Sequence, residues 1–446
     1  MLNDRIKALI REYNPWWEEK EIVVPEYKRH IFADVQKYMK TKQIIAIVGL
    51  RRVGKTVLMK QTIKELLSKN KKENIFYFLF DELIAQNPEI LGDIVDYYLK
   101  TIAKDGRKYI FLDEIQKVPY WQDVLKRFYD TREDIKFVIS GSSSLRIKKS
   151  KESLAGRMFD FYLPILTFRE FLEMNGLRIE KVELDFDELK KIYEANINKK
   201  PVFDKMFSEY ILKGAFPEIA KEENEEIIKN YIKNSVVENI ILGDIPAVFD
   251  VKKKDVLYSI LEYCSKETSN LLDITNLAKI LNVNYHTSKS YIFYLMNSFI
   301  IDIVYNYSKS IAKQLRKNKK VHVAHPSITI TLMKYSKDVL NIEEIIGRYV
   351  ETIVFQHSKF ISERIFFWRT PQKEEVDIVL DTGILLPIEV KYRNRIESSD
   401  TDSIVKFMKT CRLKKGIVVT KDFFEEKEID GKRILFVPVW LFLLVI

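Results

Sequence analysis

Gly49-Leu50-Arg51-Arg52-Val53-Gly54-Lys55-Thr56 matches G-x-x-x-x-G-K-[ST]. Each piece has a chemical use. The glycines let backbone N–H groups curl round a phosphate, and a helix N-terminus following the loop adds positive potential. Lys55 would neutralise the β- and γ-phosphates, and Thr56 would offer its hydroxyl to Mg²⁺. The loop therefore predicts ATP and Mg²⁺ as cofactors. Hydrolysis also needs a carboxylate on the magnesium side and a group that orients water. Asp113 and Glu114, closing the run Tyr109-Ile110-Phe111-Leu112, supply these two roles. Asp81-Glu82 ends another apolar run and competes with them.

A second constellation lies near the end of the chain. Val376-Asp377-Ile378-Val379 and Ile388-Glu389-Val390-Lys391 read as consecutive strands, with Glu351 on a preceding helix. Side chains alternate across a strand, so Glu389 and Lys391 share a face that Asp377 can meet. This set resembles the PD-(D/E)XK nucleases. The resemblance implies that Glu351, Asp377 and Glu389 hold Mg²⁺ while Lys391 positions a hydrolytic water. An exposed salt-bridge row on a strand is the plainer reading of a lone E-x-K.

Between the two sets, Leu272–Ile301 divides into two amphipathic helices with a turn at Asn282–Asn284, the pattern of a helix-turn-helix. Tyr285, His286, Thr287 and Lys289 open its second helix, where base edges are read. The following Val304–Ala324 predicts a two-stranded basic wing. The wing carries Lys309, Lys313, Arg316, Lys317, Lys319 and Lys320, and all of these but Lys309, together with Lys289, would neutralise DNA phosphates. A winged helix used only for packing, with a solvated charge run, is the alternative.

The elements that must position these groups follow from periodicity. Apolar runs at Ile44–Val48, Ile75–Phe80, Tyr109–Leu112 and Phe137–Ile139 alternate with amphipathic stretches. They predict an α/β fold with a parallel sheet of the P-loop NTPase kind. A mostly helical winged-helix region and a small α/β domain of the restriction-endonuclease kind follow. The expected divisions are 1–165 for the ATPase core with an N-terminal lead-in, 166–250 for a helical lid or connector, 251–340 for the winged helix-turn-helix and 341–446 for the nuclease-like domain.

The pieces GLRRVGKT, IFLDEIQKVPYW, ISGSSS, SLAGR (Ser153–Arg157) and KGAFPE (Lys213–Glu218) together resemble prokaryotic AAA+ P-loop ATPases with a C-terminal helical and nuclease-like extension. The likeness covers nearly the whole chain. In P-loop ATPases with a catalytic glutamate, the acidic strand is followed by a helix and a strand ending in polar residues. That order favours Asp113-Glu114 over Asp81-Glu82, because the later strand ends Ile139-Ser140-Gly141-Ser142. It makes Ser140 or Ser142 a γ-phosphate sensor, with the choice between them open. The resemblance also makes Arg157 a candidate arginine finger reaching a neighbouring subunit, which implies a homo-oligomer.

Composition narrows the rest. The chain has 446 residues, 46% hydrophobic and 31% charged, enough for several packed cores and too apolar for a disordered chain. Its 74 Lys and Arg against 64 Asp and Glu give a charge of +10, compatible with nucleic acid. Cys264 and Cys411, far apart in sequence, rule out a disulfide framework and predict a cytoplasmic protein. The five histidines show no metal spacing, and no nucleophile elbow appears. The apolar end from Ile434 to Ile446 is too short to span a bilayer and reads as a buried strand and helix, so no membrane is expected. Three functions follow: an ATPase coupled to a DNA-binding, nuclease-like half; a slow nucleotide-dependent switch binding a protein partner; or a metal-dependent DNA nuclease regulated by ATP.

Overall fold

Continuous apolar runs pair as parallel strands because a strand covered on both faces needs apolar side chains at every position. The computed structural model describes residues 2–80, 87–141 and 154–445. In it β1 spans Ile44–Val48, β2 Ile75–Leu79, β3 Lys108–Asp113, β4 Ile135–Gly141 and β5 Met158–Tyr162. They form one parallel sheet in the order β2-β3-β4-β1-β5. This α/β layer fits a P-loop NTPase. Every residue of β1 is buried. β4 pairs with β1 on one side and β3 on the other, with Val48 opposite Gly141 and Leu112 opposite Ile139. That register brings the carboxyl ends of three strands together, where ligands bind in open α/β sheets.

The lead-in guards one sheet edge. Asn3 caps the helix Asp4–Tyr13 through Ile6 N (2.9 Å). Just beyond it, buried Asn14 donates to Tyr77 O (2.8 Å) and accepts from Tyr77 N (2.7 Å), so its amide acts as a short extra strand against β2. Trp16 and Trp17 donate to Ile75 O, each at 3.1 Å. An open edge strand invites pairing with other chains, and these contacts close part of it.

The chain divides into two compact units. The first takes Met1–Pro164 with Gly243–Phe249, and the second takes Ile165–Leu242 with Asp250–Ile446. Residues 243–249, expected to end a connector, thus pack with the first unit.

The second unit contains a nine-stranded mixed sheet ordered β13-β14-β12-β11-β10-β9-β7-β8-β6. Its strands are β6 Leu271–Leu272, β7 Ile301–Asn306, β8 Lys319–Val323, β9 Ile365–Arg369, β10 Glu375–Asp381, β11 Leu385–Lys391, β12 Lys415–Thr420, β13 Glu425–Ile429 and β14 Lys432–Pro438. The helices Ile274–Ile280 and Tyr285–Asn297 occupy the expected helix-turn-helix positions, with Asn284 capping the second through Thr287 N (2.7 Å). The expected wing differs. β7 and β8 are antiparallel, but the helix Ile311–Arg316 lies between them. β7 also pairs in parallel with β9, Tyr305 opposite Phe366. One sheet therefore crosses residue 340, where the sequence predicted a domain boundary. A pairing between strands about sixty residues apart leaves no trace in local periodicity.

The C-terminal end is a buried strand and helix, as its apolarity predicts. Trp440, in the helix Val439–Phe442, is fully buried and stacks on Phe203 at 4.6 Å between ring centroids. Upstream, Thr167 and Glu170 form a capping box for Phe168–Met174. Among the described residues no helix is long and apolar enough to cross a membrane.

Candidate functional site

The glycine loop leaves β1 and enters the helix Lys55–Leu67. Gly49 sits where no side chain fits: a β-carbon there would lie 2.2 Å from Leu163 O, just past β5. Gly54 adopts φ 100°, a left-handed conformation that favours glycine. Leu50 and Val53 are buried among the core, and Arg29 donates to Val53 O (2.9 Å) and Pro164 O (2.9 Å), tying the loop to the end of β5. Lys55 donates to Gly49 O (3.1 Å) and Leu50 O (3.0 Å), its ammonium folded over the loop. Arg52 also has positive φ, at 66°.

Asp113 is the hub of the site. It is fully buried, and its Oδ2 accepts from Thr56 Oγ1 (2.6 Å) and Tyr77 Oη (2.9 Å). Its Oδ1 accepts from Ser140 Oγ and from Glu114 N (3.1 Å). Thr56, Asp113 and Ser140 thus meet from three elements, the loop helix, β3 and β4. Burial, reinforced by Asp113, holds the Tyr77 phenol well above its ordinary pKa, so it remains a donor. Glu114 adopts a left-handed backbone conformation (φ 54°), and its carboxylate accepts from Gln116 Nε2 at 2.6 Å. Gln116 Oε1 and Arg51 Nε are buried without hydrogen-bond partners.

Arg51 pairs with Asp244 at 2.9 Å, joining the loop to the returning segment 243–249. Burial pushes the Asp244 carboxyl up, against the pull of Arg51. The set fits Mg²⁺ and a triphosphate. A cradle that excludes a β-carbon, a hydroxyl 2.6 Å from a buried carboxylate and an ammonium resting on loop carbonyls are all present.

Arg157 lies just before β5 and pairs with Asp130 at 2.8 Å, half-exposed. Ser142 lies outside the described residues, as do Asp81, Glu82 and Ser153. Tyr77, Asn14, Arg29 and Asp244 were not singled out by motif. Tyr77 carries a faint signal, a polar tip inside an otherwise apolar β2 run; Asp244 carries none.

In the second unit the structure brings Glu351, Asp377, Glu389 and Lys391 together. Lys391 donates to Glu389 at 2.5 Å, the shared face expected of E-x-K. Asp377 sits where the β9–β10 register shifts between Val376 and Val379, and such an irregularity re-aims a side chain. Its Oδ2 accepts from Val390 N (2.9 Å). Two members were missed, Glu375 and Lys320. Lys320 was read as a phosphate contact, and the structure corrects that. Its side chain is 2% exposed and ion-paired with Glu351 (2.8 Å), Asp377 (3.6 Å) and Glu375. Burial opposes its charge, but Glu351, Asp377 and Glu375 raise its pKa above that of an ordinary lysine. Burial and Asp377 push Glu351 up to about 7 and Glu389 up to about 8. Among the described residues no group of three or more histidine, cysteine and carboxylate side chains is arranged to hold a metal ion. With an ammonium inside it, this cluster does not fit the nuclease magnesium.

On the helix-turn-helix, Tyr285, His286 and Lys289 are exposed and Thr287 half-buried. Lys309, Lys313 and Arg316 are exposed beside Lys317 and Lys319.

Residues 41–172 match the AAA domain family, and two domains of unknown function match further on, DUF8612 over 204–339 and DUF4143 over 346–442. The uncharacterized protein MJ1637 of Methanocaldococcus jannaschii is 26% identical over 430 residues, covering 92% of this chain and 87% of its own. An uncharacterized protein of Haemophilus influenzae is 24% identical, covering 91% of this chain and 96% of its own. Among solved structures, the Aeropyrum pernix ORC1 protein in complex with DNA is similar at 13% identity and a TM-score of 0.33, over 70% of this chain and 94% of that one.

Proposed function

We propose that this chain is an ATP-binding, Mg²⁺-dependent P-loop ATPase of the AAA+ type whose turnover is coupled to a DNA-contacting second unit. The observation that carries the reading is buried Asp113, hydrogen-bonded to Thr56 at the foot of a loop whose first position, Gly49, has no room for a β-carbon. The AAA domain match over 41–172 supports it. Bound Mg²⁺ would supply charge neutralisation on the phosphates, with Thr56 and Asp113 as the groups that hold it. Lys55 would exchange its loop carbonyls for phosphate oxygens, and Gly49 to Thr56 would present backbone N–H groups. Glu114 would accept the proton of the attacking water, held in position by Gln116. Ser140 ties the end of β4 to Asp113, so it reports on that carboxylate's position. Arg157, at the surface and paired with Asp130 through two hydrogen bonds, would have to exchange that partner to serve a neighbouring subunit.

DNA contact is supported by the exposed Tyr285, His286 and Lys289 and by the basic helix after β7. The test is steady-state ATPase activity of the purified chain against single-stranded, double-stranded and branched DNA and RNA. Stimulation by DNA that falls in a Lys313→Glu, Arg316→Glu variant supports coupling. Turnover indifferent to every nucleic acid would favour a slow switch that answers to a protein.

A further inference from the structure

The carboxylate cluster of the second unit has the residue types of a metal site and an occupant that excludes one. Glu351 comes from the helix Glu343–Ser358, Glu375 and Asp377 from β10, and Glu389 from β11. Lys320 enters from β8, its ammonium passing over the Phe367 ring at 5.5 Å. An ammonium has three N–H donors, and three carboxylates surround this one: Glu351, Glu375 and Asp377. Arg369 holds the outer side of Glu375 at 2.5 Å, and Lys391 holds Glu389 at 2.5 Å.

We infer that Lys320 stands where a nuclease of this architecture would carry its divalent cation, so that the cluster is closed by the chain's own ammonium and binds no metal.

Charge balance agrees. Four carboxylates face three cations, and Glu389 keeps one buried oxygen, Oε2, without a partner. Three cations already held among four carboxylates leave little negative charge for a divalent ion to neutralise. A divalent cation entering would meet an ammonium a few ångströms away and lose the ligands that ammonium already holds. Magnesium requires oxygen ligands at about 2.0–2.1 Å in near-octahedral order. Glu351 instead accepts an N–H···O bond from the ammonium at 2.8 Å, and Asp377 stands 3.6 Å from it. The lysine also does structural work, since it links β8 to β10 and to the helix carrying Glu351.

The test is Mn²⁺ binding to the full-length, nucleotide-free protein, followed by loss of the free-ion paramagnetic resonance signal. Wild type is expected to take up no Mn²⁺ at this cluster. Lys320→Met, which keeps the chain length and removes the charge, is expected to bind one Mn²⁺ per chain and to gain thermal stability with it. Adding Asp377→Asn to that variant should abolish the uptake. One Mn²⁺ bound by wild type and lost in Asp377→Asn would overturn the inference. So would a folded Lys320→Met that binds none. If Lys320→Met does not fold, the wild-type titration decides alone: uptake that Asp377→Asn or Glu389→Gln removes refutes it, and no uptake sustains it. The ATP site is not involved, so either outcome leaves the ATPase reading untouched.

Discussion

Replacing Gly49 by alanine tests how the phosphate cradle is built. The added β-carbon would sit 2.2 Å from Leu163 O, where ordinary contact begins at 3.4 Å. Something must therefore move by more than an ångström, and the obstacle is backbone, not a flexible side chain. The neighbouring bond from Leu163 N to Val48 O is 2.7 Å long and anchors the end of β5 beside β1. Losing it costs about 1 kcal/mol. Forced overpacking adds about 1–3 kcal/mol. The expected loss is about 2–4 kcal/mol, a sizeable part of a typical domain's stability. Gly92→Ala is the control. Its β-carbon meets nothing nearer than the flexible Arg127 guanidinium at 3.4 Å, and it lies within the helix Ile90–Thr101. Alanine there should be neutral or stabilising by up to about 1 kcal/mol. Urea unfolding of both variants without nucleotide, with fluorescent ATP-analogue binding alongside, separates the two cases. A Gly49→Ala protein that unfolds at the wild-type midpoint and binds the analogue as tightly would refute the close-approach argument.

Two further outcomes follow from the geometry. Tyr77→Phe removes one of the bonds that fix Asp113, and should cost about 1 kcal/mol in stability and lower kcat more than it raises KM; an unchanged kcat would show that Tyr77 does not position the carboxylate. Glu351 and Glu389 carry folded pKa values near 7 and 8, above the usual 4.5, so the native second unit binds more protons than its unfolded chain between those limits. That contribution is present in full below pH 4.5 and is lost as pH rises through 7 and 8, so unfolding midpoints should fall from pH 5 to pH 9. Glu389→Gln, which stays neutral, should flatten the fall; an equally steep profile would contradict the assignment.

Much of the first unit was legible from residue order. The loop Gly49–Thr56 announces itself because glycines, lysine and hydroxyl must stand at fixed spacing, and β1 to β4 show as apolar runs because both their faces are covered. Asp113 was legible for the same reason, as an acid closing a buried strand. Tyr77 and Asp244 were not, since their partners arrive through strand pairing and through a return of the chain after residue 242. In the second unit, alternation foretold that Glu389 and Lys391 share a face, and they do. Lys320 misled because a run of basic residues reads as solvated surface. The contrary sign was its place before Val321-His322-Val323, in a strand whose last four residues are buried. The β7–β9 pairing that joins β7 and β8 to the C-terminal strands has no local signature at all.

ATP binding and turnover measured side by side in wild type, Lys55→Ala and Glu114→Gln test the phosphate pocket most directly. Wild type should bind and hydrolyse Mg-ATP, Lys55→Ala should do neither, and Glu114→Gln should bind ATP while its turnover falls by about a hundredfold or more. Wild-type turnover in both variants would contradict it.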